Sequence, residues 1–296
     1  MPEKVVRFLP ESIRQQLMPF WDEKIEEIRL RAGQPPGVVC GDGISRCSRG
    51  QAVRAQELEQ ILQASCRWSI HTVLDQLCSG YITLEGGHRL GVCGTAVMGE
   101  TGLKSMREIS SLNFRIARQI KGVARQAARA IYGSGESCNV LIVSPPGVGK
   151  TTFLRDMIRT LSRGDAGVQY RVAVADERGE VAAVWRGEPQ MDLGPCVDVL
   201  SGCPKGRAIE FLTRSMSPQI IAVDEITAEE DIAAMKRSMG CGVSLLATAH
   251  ARDADSLKKR PLYRGLLESG VFDTVVELGK TGSERTFNLR RLGNAG

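Results

Sequence analysis

Ser144-Pro-Pro-Gly-Val-Gly-Lys-Thr-Thr152 is the stretch from which the rest of the chain is read. It follows an apolar run, Cys138–Ser144, and opens a segment, Lys150–Arg163, with apolar residues at helical spacing: Phe153, Leu154, Met157, Ile158 and Leu161. Gly164 can end that helix. Strand, glycine-rich loop and helix in this order form the setting that a phosphate-binding loop requires. Gly147 and Gly149 let backbone N–H groups turn inward around a phosphate, and the helix N-terminus adds favourable partial charge. Lys150 is expected to reach the β- and γ-phosphates, and the Thr151 hydroxyl to sit on Mg2+. The expected nucleotide-binding residues are therefore Ser144, Pro145, Pro146, Gly147, Val148, Gly149, Lys150, Thr151 and Thr152. Ser144 stands where the general pattern has Gly, and a small residue suffices there. A plain Gly-Pro turn is the rival reading, but it leaves Gly-Lys-Thr-Thr at the helix start unexplained.

Outward from this loop, strands alternate with helical patterns. The strands are Arg171–Asp176, Gln219–Val223, Ser244–Thr248 and Thr274–Leu278, with an edge hairpin ending at Arg285–Leu292. The helices are Lys205–Ser215 and Glu229–Ser238. Such alternation implies an α/β domain with a mainly parallel sheet, whose ligand sits at the carboxyl ends of the strands. Two strands end there in acid pairs. Ile220-Ile-Ala-Val-Asp-Glu225 places Asp224 to hold the magnesium shell and Glu225 to polarise the attacking water. Asp176-Glu177, continuing Arg178-Gly-Glu180, faces the same cleft, so either Glu177 or Glu225 can orient water. Glu225 is favoured, with Glu177 assisting; the alternative for Glu177 is a plain partner for Arg178. His250 ends Leu246-Ala-Thr-Ala-His250 beside these strands, where it can sense the γ-phosphate, although a lone His is more often structural. His71 and His88 read as structural.

The chain of 296 residues suits two domains. Residues 1–131 read as a smaller α+β domain, with a helical pattern over 55–78, strands Tyr81–Leu84 and Arg89–Ala96, and a turn Glu85-Gly-Gly-His88 between them. Tyr132-Gly-Ser-Gly-Glu-Ser137 reads as a hinge, and 138–296 as the P-loop domain. A formal charge of +5, from 39 basic and 34 acidic residues, argues for neither nucleic acid nor an anionic membrane. Nine cysteines without a C-x-x-C pair, and three histidines, give no zinc spacing. They read as reduced thiols, which together with the charged Met1-Pro-Glu-Lys4 favours the cytoplasm. No apolar run approaches the roughly 18 residues of a bilayer span, so membrane work is expected through a partner.

From Ile109 to Gly135 the chain has no acid but carries Arg115, Arg118, Lys121, Arg125 and Arg129. The last four share one face if Arg118–Ile131 is helical. Arg115 and Arg118 can meet phosphate across a subunit interface, the stripe can follow a nucleic-acid backbone, or the face is simply solvated. With only Phe114 and Tyr132 nearby, a base-stacking platform is not supported, so interface or solvated face ranks above nucleic acid.

These motifs together resemble the RecA-like secretion ATPases, the hexameric motors of type II and type IV secretion and pilus retraction. Ser144–Thr152 looks like their P-loop, Asp176–Glu180 like their acidic box, Ile220–Glu225 like their Walker B motif and Ala247–His250 like their histidine box. A closer resemblance is to the stage III sporulation protein AA family. It is carried by Ile25-Glu-Glu-Ile-Arg-Leu-Arg31, Gly86-Gly-His-Arg-Leu-Gly91, Ser111-Leu-Asn-Phe-Arg-Ile-Ala-Arg118, Asp198-Val-Leu-Ser-Gly-Cys-Pro-Lys205 and Arg214-Ser-Met-Ser-Pro-Gln-Ile-Ile-Ala-Val-Asp-Glu225. The resemblance implies a RecA-like fold and an ATPase in the mother-cell cytoplasm. It implies a ring, a hexamer, with ATP between subunits, docked on membrane proteins of the channel between mother cell and forespore. Arg115 and Arg118 look like the family's site-completing arginines, with Arg178 and Arg214 as others; sequence assigns none to its own or a neighbouring subunit. The secretion motors commonly carry Gly-Glu where this chain has Asp224-Glu225, which leaves the division of labour between these two acids open. Two other classes compete: a nucleic-acid-dependent P-loop ATPase or DNA-binding module, and a nucleotide-binding scaffold without turnover. The intact set Lys150, Thr151, Asp224 and Glu225 argues against the scaffold.

Overall fold

The computed structural model describes residues 3–21, 23–41, 43–66, 80–100, 102–268, 270–281 and 284–292. It divides into two compact units, Met1–Arg118 with Ala183–Gln190, and Gln119–Ala182 with Met191–Gly296. The division falls between Arg118 and Gln119, and the expected hinge at 132–137 lies inside the second unit. Tyr132 shows why: it is fully buried, its ring meets Tyr170 edge-on at 5.7 Å, and its hydroxyl donates to the Cys138 carbonyl. A buried aromatic anchored at both ends ties the following turn to the core.

In the first unit, strands β1 (Ile25–Arg31), β2 (Gly37–Cys40), β3 (Ser45–Cys47), β4 (Tyr81–Thr83), β5 (Arg89–Gly99) and β6 (Gly102–Arg115) form an antiparallel sheet ordered β3-β2-β1-β6-β5-β4. Alternation along the strands turns Ile28, Leu30, Leu90, Leu112 and Phe114 inward. There they share a core with Ile13 and Leu17 of helix Glu11–Leu17, and with Leu58 and Ile61 of helix Ala55–Cys66. Each such side chain contributes about 1.5–3 kcal/mol by leaving water. The register of β1 shifts between Ile25 and Glu27, which breaks the two-residue period that would have marked it as a strand. The helical pattern read over 55–78 is a helix over Ala55–Cys66; residues 67–78, with His71, lie outside the described residues.

In the second unit the strands are β7 (Val140–Ser144), β8 (Val172–Asp176), β11 (Val197–Ser201), β12 (Ile220–Val223), β13 (Ser244–His250), β14 (Thr274–Thr281) and β15 (Glu284–Arg291). Between β8 and β11, the short strands β9 (Val184–Trp185) and β10 (Glu188–Pro189) pair as a hairpin that belongs to the first unit. The sheet order is β11-β8-β12-β13-β7-β14-β15, parallel except for β15. Strands β7, β8 and β12 are buried at every position, which is why they read as unbroken apolar runs. The edge strand β11 escaped the sequence reading because it is half-buried over Val197–Leu200, exposed at Ser201 and has no such run. Helix Lys150–Arg163 runs from Gly149 to Gly164, both in the left-handed region, and helices Lys205–Ser215 and Glu229–Met239 follow the expected pattern.

The basic stripe does not share one helix face. The helix begins at Arg125, because Gly122 (φ 88°) turns the chain and the Asp156 carboxylate accepts from the Gly122 and Ala124 N–H groups. Three of the stripe's cations have separate partners. Arg118 donates to the Ile25 carbonyl, Lys121 pairs with Asp192, and Arg129 donates to the Asp165 carbonyl.

His88 is structural, as expected. It is buried, and its Nδ1 accepts from the Ala117 N–H at 3.0 Å, which requires an unprotonated nitrogen. Burial, with Lys4 adding to it, pushes the imidazole from the ordinary 6.5 down to about 4. Between these values the unfolded chain binds a proton that the folded chain refuses, so stability is full above pH 6.5 and is lost as the pH falls towards 4. Urea unfolding across this range is expected to lose on the order of 2 kcal/mol from this group. His88→Gln is expected to flatten that part of the profile; an unchanged pH slope in the variant would exclude His88 as its source.

Candidate functional site

The parallel register assembles the site. Val223 of β12 pairs with Ala247 of β13, and His250 pairs with Ser144 of β7, so both acid-tipped and histidine-tipped strands end beside the P-loop. Ser144 is fully buried, with its hydroxyl donating to the Pro145 carbonyl at 2.9 Å; its side chain fits where the general motif has none. Gly147 (φ 79°) and Gly149 (φ 105°) give the loop its left-handed turns. Lys150 opens the helix and is nearly buried. Burial lowers its pKa, while Asp224, Glu225 and Glu180 push it back up.

Asp224 and Glu225 are separated in function by one threonine. Asp224 accepts from the Thr151 hydroxyl at 2.9 Å and from the Thr248 hydroxyl at 2.8 Å. The same Thr248 oxygen accepts the Glu225 N–H at 2.8 Å. Glu225 has a left-handed backbone, φ 52°, unusual for a residue with a Cβ. That conformation is held from both sides: Ile226 N–H donates to the Thr248 carbonyl, and the Tyr263 hydroxyl donates to the Ile226 carbonyl. The turn sends the Glu225 carboxylate to within 3.5 Å of His250 Nε2. Lys150 Nζ in turn lies 2.8 Å from His250 Nδ1, so lysine, histidine and glutamate form one chain of contacts.

The second acid pair divides differently. Asp176 is buried and accepts three backbone N–H groups, from Glu180, Val181 and Ala182. Burial raises its pKa and these donors offset part of the rise, which marks Asp176 as the residue that shapes its own loop. Glu177 is paired with the buried Lys205 at 2.5 Å. This lysine comes from the start of the next helix, a partner that the reading of Arg178 as partner does not include. Lys205 had a sequence signal, its place directly after Cys203-Pro204 at the head of an apolar-periodic run, but that signal carries no partner. Asp176, Glu177, Glu180, Lys205, Asp224 and Glu225 line one cleft, so the two acid pairs do meet.

The donor set fits magnesium. Mg2+ takes oxygen ligands from one or two carboxylates and from substrate phosphates, and Thr151 with Asp224 offers that pattern. No group of three or more His, Cys, Asp or Glu residues suited to a metal occurs among the described residues. Arg115 and Arg118 belong to the first unit, where Arg115 lies 3.8 Å from Glu27 and is largely exposed. Arg214 is exposed on helix Lys205–Ser215.

A protein-family model described as Sporulation stage III, protein AA matches residues 2–288. The chain is 36% identical over 287 residues to Stage III sporulation protein AA of Bacillus subtilis (strain 168), spanning 94% of this chain and 91% of that protein. Among solved structures it is similar to the Legionella pneumophila ATPase DotB, with a TM-score of 0.62 and 16% identity over 99% of this chain and 84% of the other. It is also similar to the pilus retraction motor PilT with bound ADP, with a TM-score of 0.64 and 16% identity over 96% of this chain and 83% of the other. At this identity the two structures show the fold alone: that of the RecA-like secretion ATPases.

The backbone at Glu225 gives a direct test of strain. Glu225→Gly is expected to be more stable than Glu225→Ala by about 1 kcal/mol in urea unfolding, because only glycine adopts this φ without a Cβ penalty. Equal stability of the two variants would mean that the turn stores no strain.

Proposed function

Because the chain belongs to the Sporulation stage III, protein AA family and folds as a RecA-like secretion ATPase, we propose that it binds ATP with Mg2+ and hydrolyses it. It works as a ring of identical subunits, a hexamer, docked on membrane proteins of the sporulation channel between mother cell and forespore, from the mother-cell cytoplasm. The observation that carries this reading is the hydrogen-bonded set Thr151, Asp224, Thr248 and Glu225, placed next to Lys150.

The P-loop N–H groups and Lys150 hold the phosphates. Thr151 and Asp224 would hold Mg2+, which would supply charge neutralisation for the phosphates. Glu225 orients a water in line with the γ-phosphorus; the new P–O bond forms as the β–γ bridge breaks, leaving ADP and phosphate. Glu225 is favoured over Glu177 for this role because Lys205 clamps the Glu177 carboxylate, whereas Glu225 is held at its backbone and its carboxylate reaches His250. His250, between Lys150 and Glu225, feels the charge lost with the γ-phosphate. Arg115 or Arg118 of a neighbouring subunit completes the charge stabilisation.

No helix among the described residues is long and apolar enough to cross a membrane. The nucleic-acid alternative loses support because Arg118 and Lys121 precede the helix that carries Arg125 and Arg129, so the four do not form one helical stripe.

Phosphate release by the purified chain, measured across a concentration series with sizing by light scattering, tests the reading. Turnover per subunit is expected to rise as a ring-sized species forms. Lys150→Ala and Glu225→Gln are expected to lose about a hundredfold or more, and Glu177→Gln markedly less. Full turnover in Glu225→Gln, or a monomer that responds only to added DNA or RNA, would overturn it.

A further inference from the structure

Glu225 follows the end of β12 and His250 ends the neighbouring β13, so neither belongs to the P-loop. Their side chains lie 3.5 Å apart, and that spacing is set by two separate pieces of backbone. A third piece ties both. After His250 the chain makes a one-turn helix, Ala254–Leu257, whose N-cap Asp253 accepts from the Ser256 N–H, and then enters helix Pro261–Glu268. Leu257, Tyr263 and Leu266 sink this corner into the same core as Ile226 and Ala249. Arg260, just before the second helix, donates from Nη1 to the His250 carbonyl at 2.9 Å. Tyr263, three residues on, donates from its hydroxyl to the carbonyl of Ile226, the residue directly after Glu225, at 2.5 Å. The Tyr263 N–H donates back to the Arg260 carbonyl, so the two donors are parts of one turn.

The two tethers differ in strength. The Tyr263 bond is buried and the Arg260 bond is at the surface. A buried carbonyl that loses its donor costs more than an exposed one, for which water substitutes. Burial raises the pKa of the Tyr263 hydroxyl, and the Glu225 charge adds to the rise, so the hydroxyl keeps its proton at neutral pH. The Glu225 turn is where a tether is needed, because a glutamate holds φ 52° only when its surroundings over-determine it. Thr248 fixes the near side of that turn through the Glu225 N–H, and Tyr263 fixes the far side. We infer that Arg260 and Tyr263 are positioning residues for the hydrolysis step: from one corner of the chain they hold the Glu225 turn and the end of β13, and thereby the spacing between the water-orienting carboxylate and the histidine. The inference rests on the proposed roles of Glu225 and His250. Both residues act through these two backbones, and neither bond reaches the P-loop that grips the phosphates. A carboxylate displaced by about 1 Å can cost on the order of a hundredfold in rate, so loosening the corner slows the reaction without weakening the grip.

The test follows turnover of Mg-ATP by the full chain and, by calorimetry, its binding of Mg-ADP. Tyr263→Phe keeps the ring in its core and removes only the hydroxyl. Its kcat is expected to fall on the order of tenfold, with Mg-ADP bound within about twofold of wild type. Arg260→Met keeps the stem and removes the donor, and a smaller loss of about threefold is expected from a bond at the surface. Arg260→Lys, which can still donate to a carbonyl, should recover most of that loss. In a Glu225→Gln background, Tyr263→Phe should cost less than about twofold further, because the carboxylate it positions is already gone. Thermal melts set a temperature at which every variant is fully folded. Wild-type kcat in both Tyr263→Phe and Arg260→Met would overturn the inference. A parallel loss of kcat and Mg-ADP affinity would make the corner a general support of the fold and overturn it too, as would the full tenfold loss in the Glu225→Gln background. Wild-type protein that binds Mg-ATP without turnover would sink the hydrolysis reading and this inference with it, a result distinct from turnover that ignores the corner.

Discussion

A single hydroxyl orders the acidic end of this sheet. Thr248 has one proton and spends it on Asp224; its oxygen then accepts the Glu225 N–H. Two neighbouring acids are thereby sent in different directions, Asp224 towards Thr151 and Glu225 towards His250. The arrangement exists only because β12 and β13 are in register at Val223 and Ala247. A slip of one residue would turn Thr248 to the opposite face and leave Asp224 without one of its donors.

Around this bridge the charges are balanced in more than one way. Asp176 is satisfied by backbone N–H groups, Glu177 by a buried ammonium, and Asp224 by two hydroxyls. Lys150 feels burial and nearby carboxylates in opposite senses. Buried charge is tolerated where each group has a partner of suitable geometry, and the variety of partners keeps the carboxylates from acting as one undifferentiated acidic patch.

What could be read from the sequence was information that neighbouring residues carry. The bounds of Lys150–Arg163 follow from the glycines at either end, and the buried strands β7, β8 and β12 from unbroken apolar runs. The P-loop, both acid pairs and His250 were legible for the same reason: each lies at the end of such a run. Partnerships across the chain were not. Glu177 and Lys205 meet across 28 positions, and nothing near either announces the other. Thr248 was visible as part of a motif, but its double role depends on strand register. The spacing of Arg118, Lys121, Arg125 and Arg129 suggested a helix because charge periodicity was read without apolar periodicity to support it. The Gly-Ser composition of 132–137 pointed to a hinge, and the buried Tyr132 at its start made it an anchored turn.

The left-handed backbone at Glu225 also bears on how this chain could drift. Glutamate and glycine codons differ at one base, so relief of the turn is always within a single mutation. Selection for folding alone would favour that change at this position. A glutamate kept here is therefore a record of selection on something other than stability, legible from one torsion angle without comparison to any other chain.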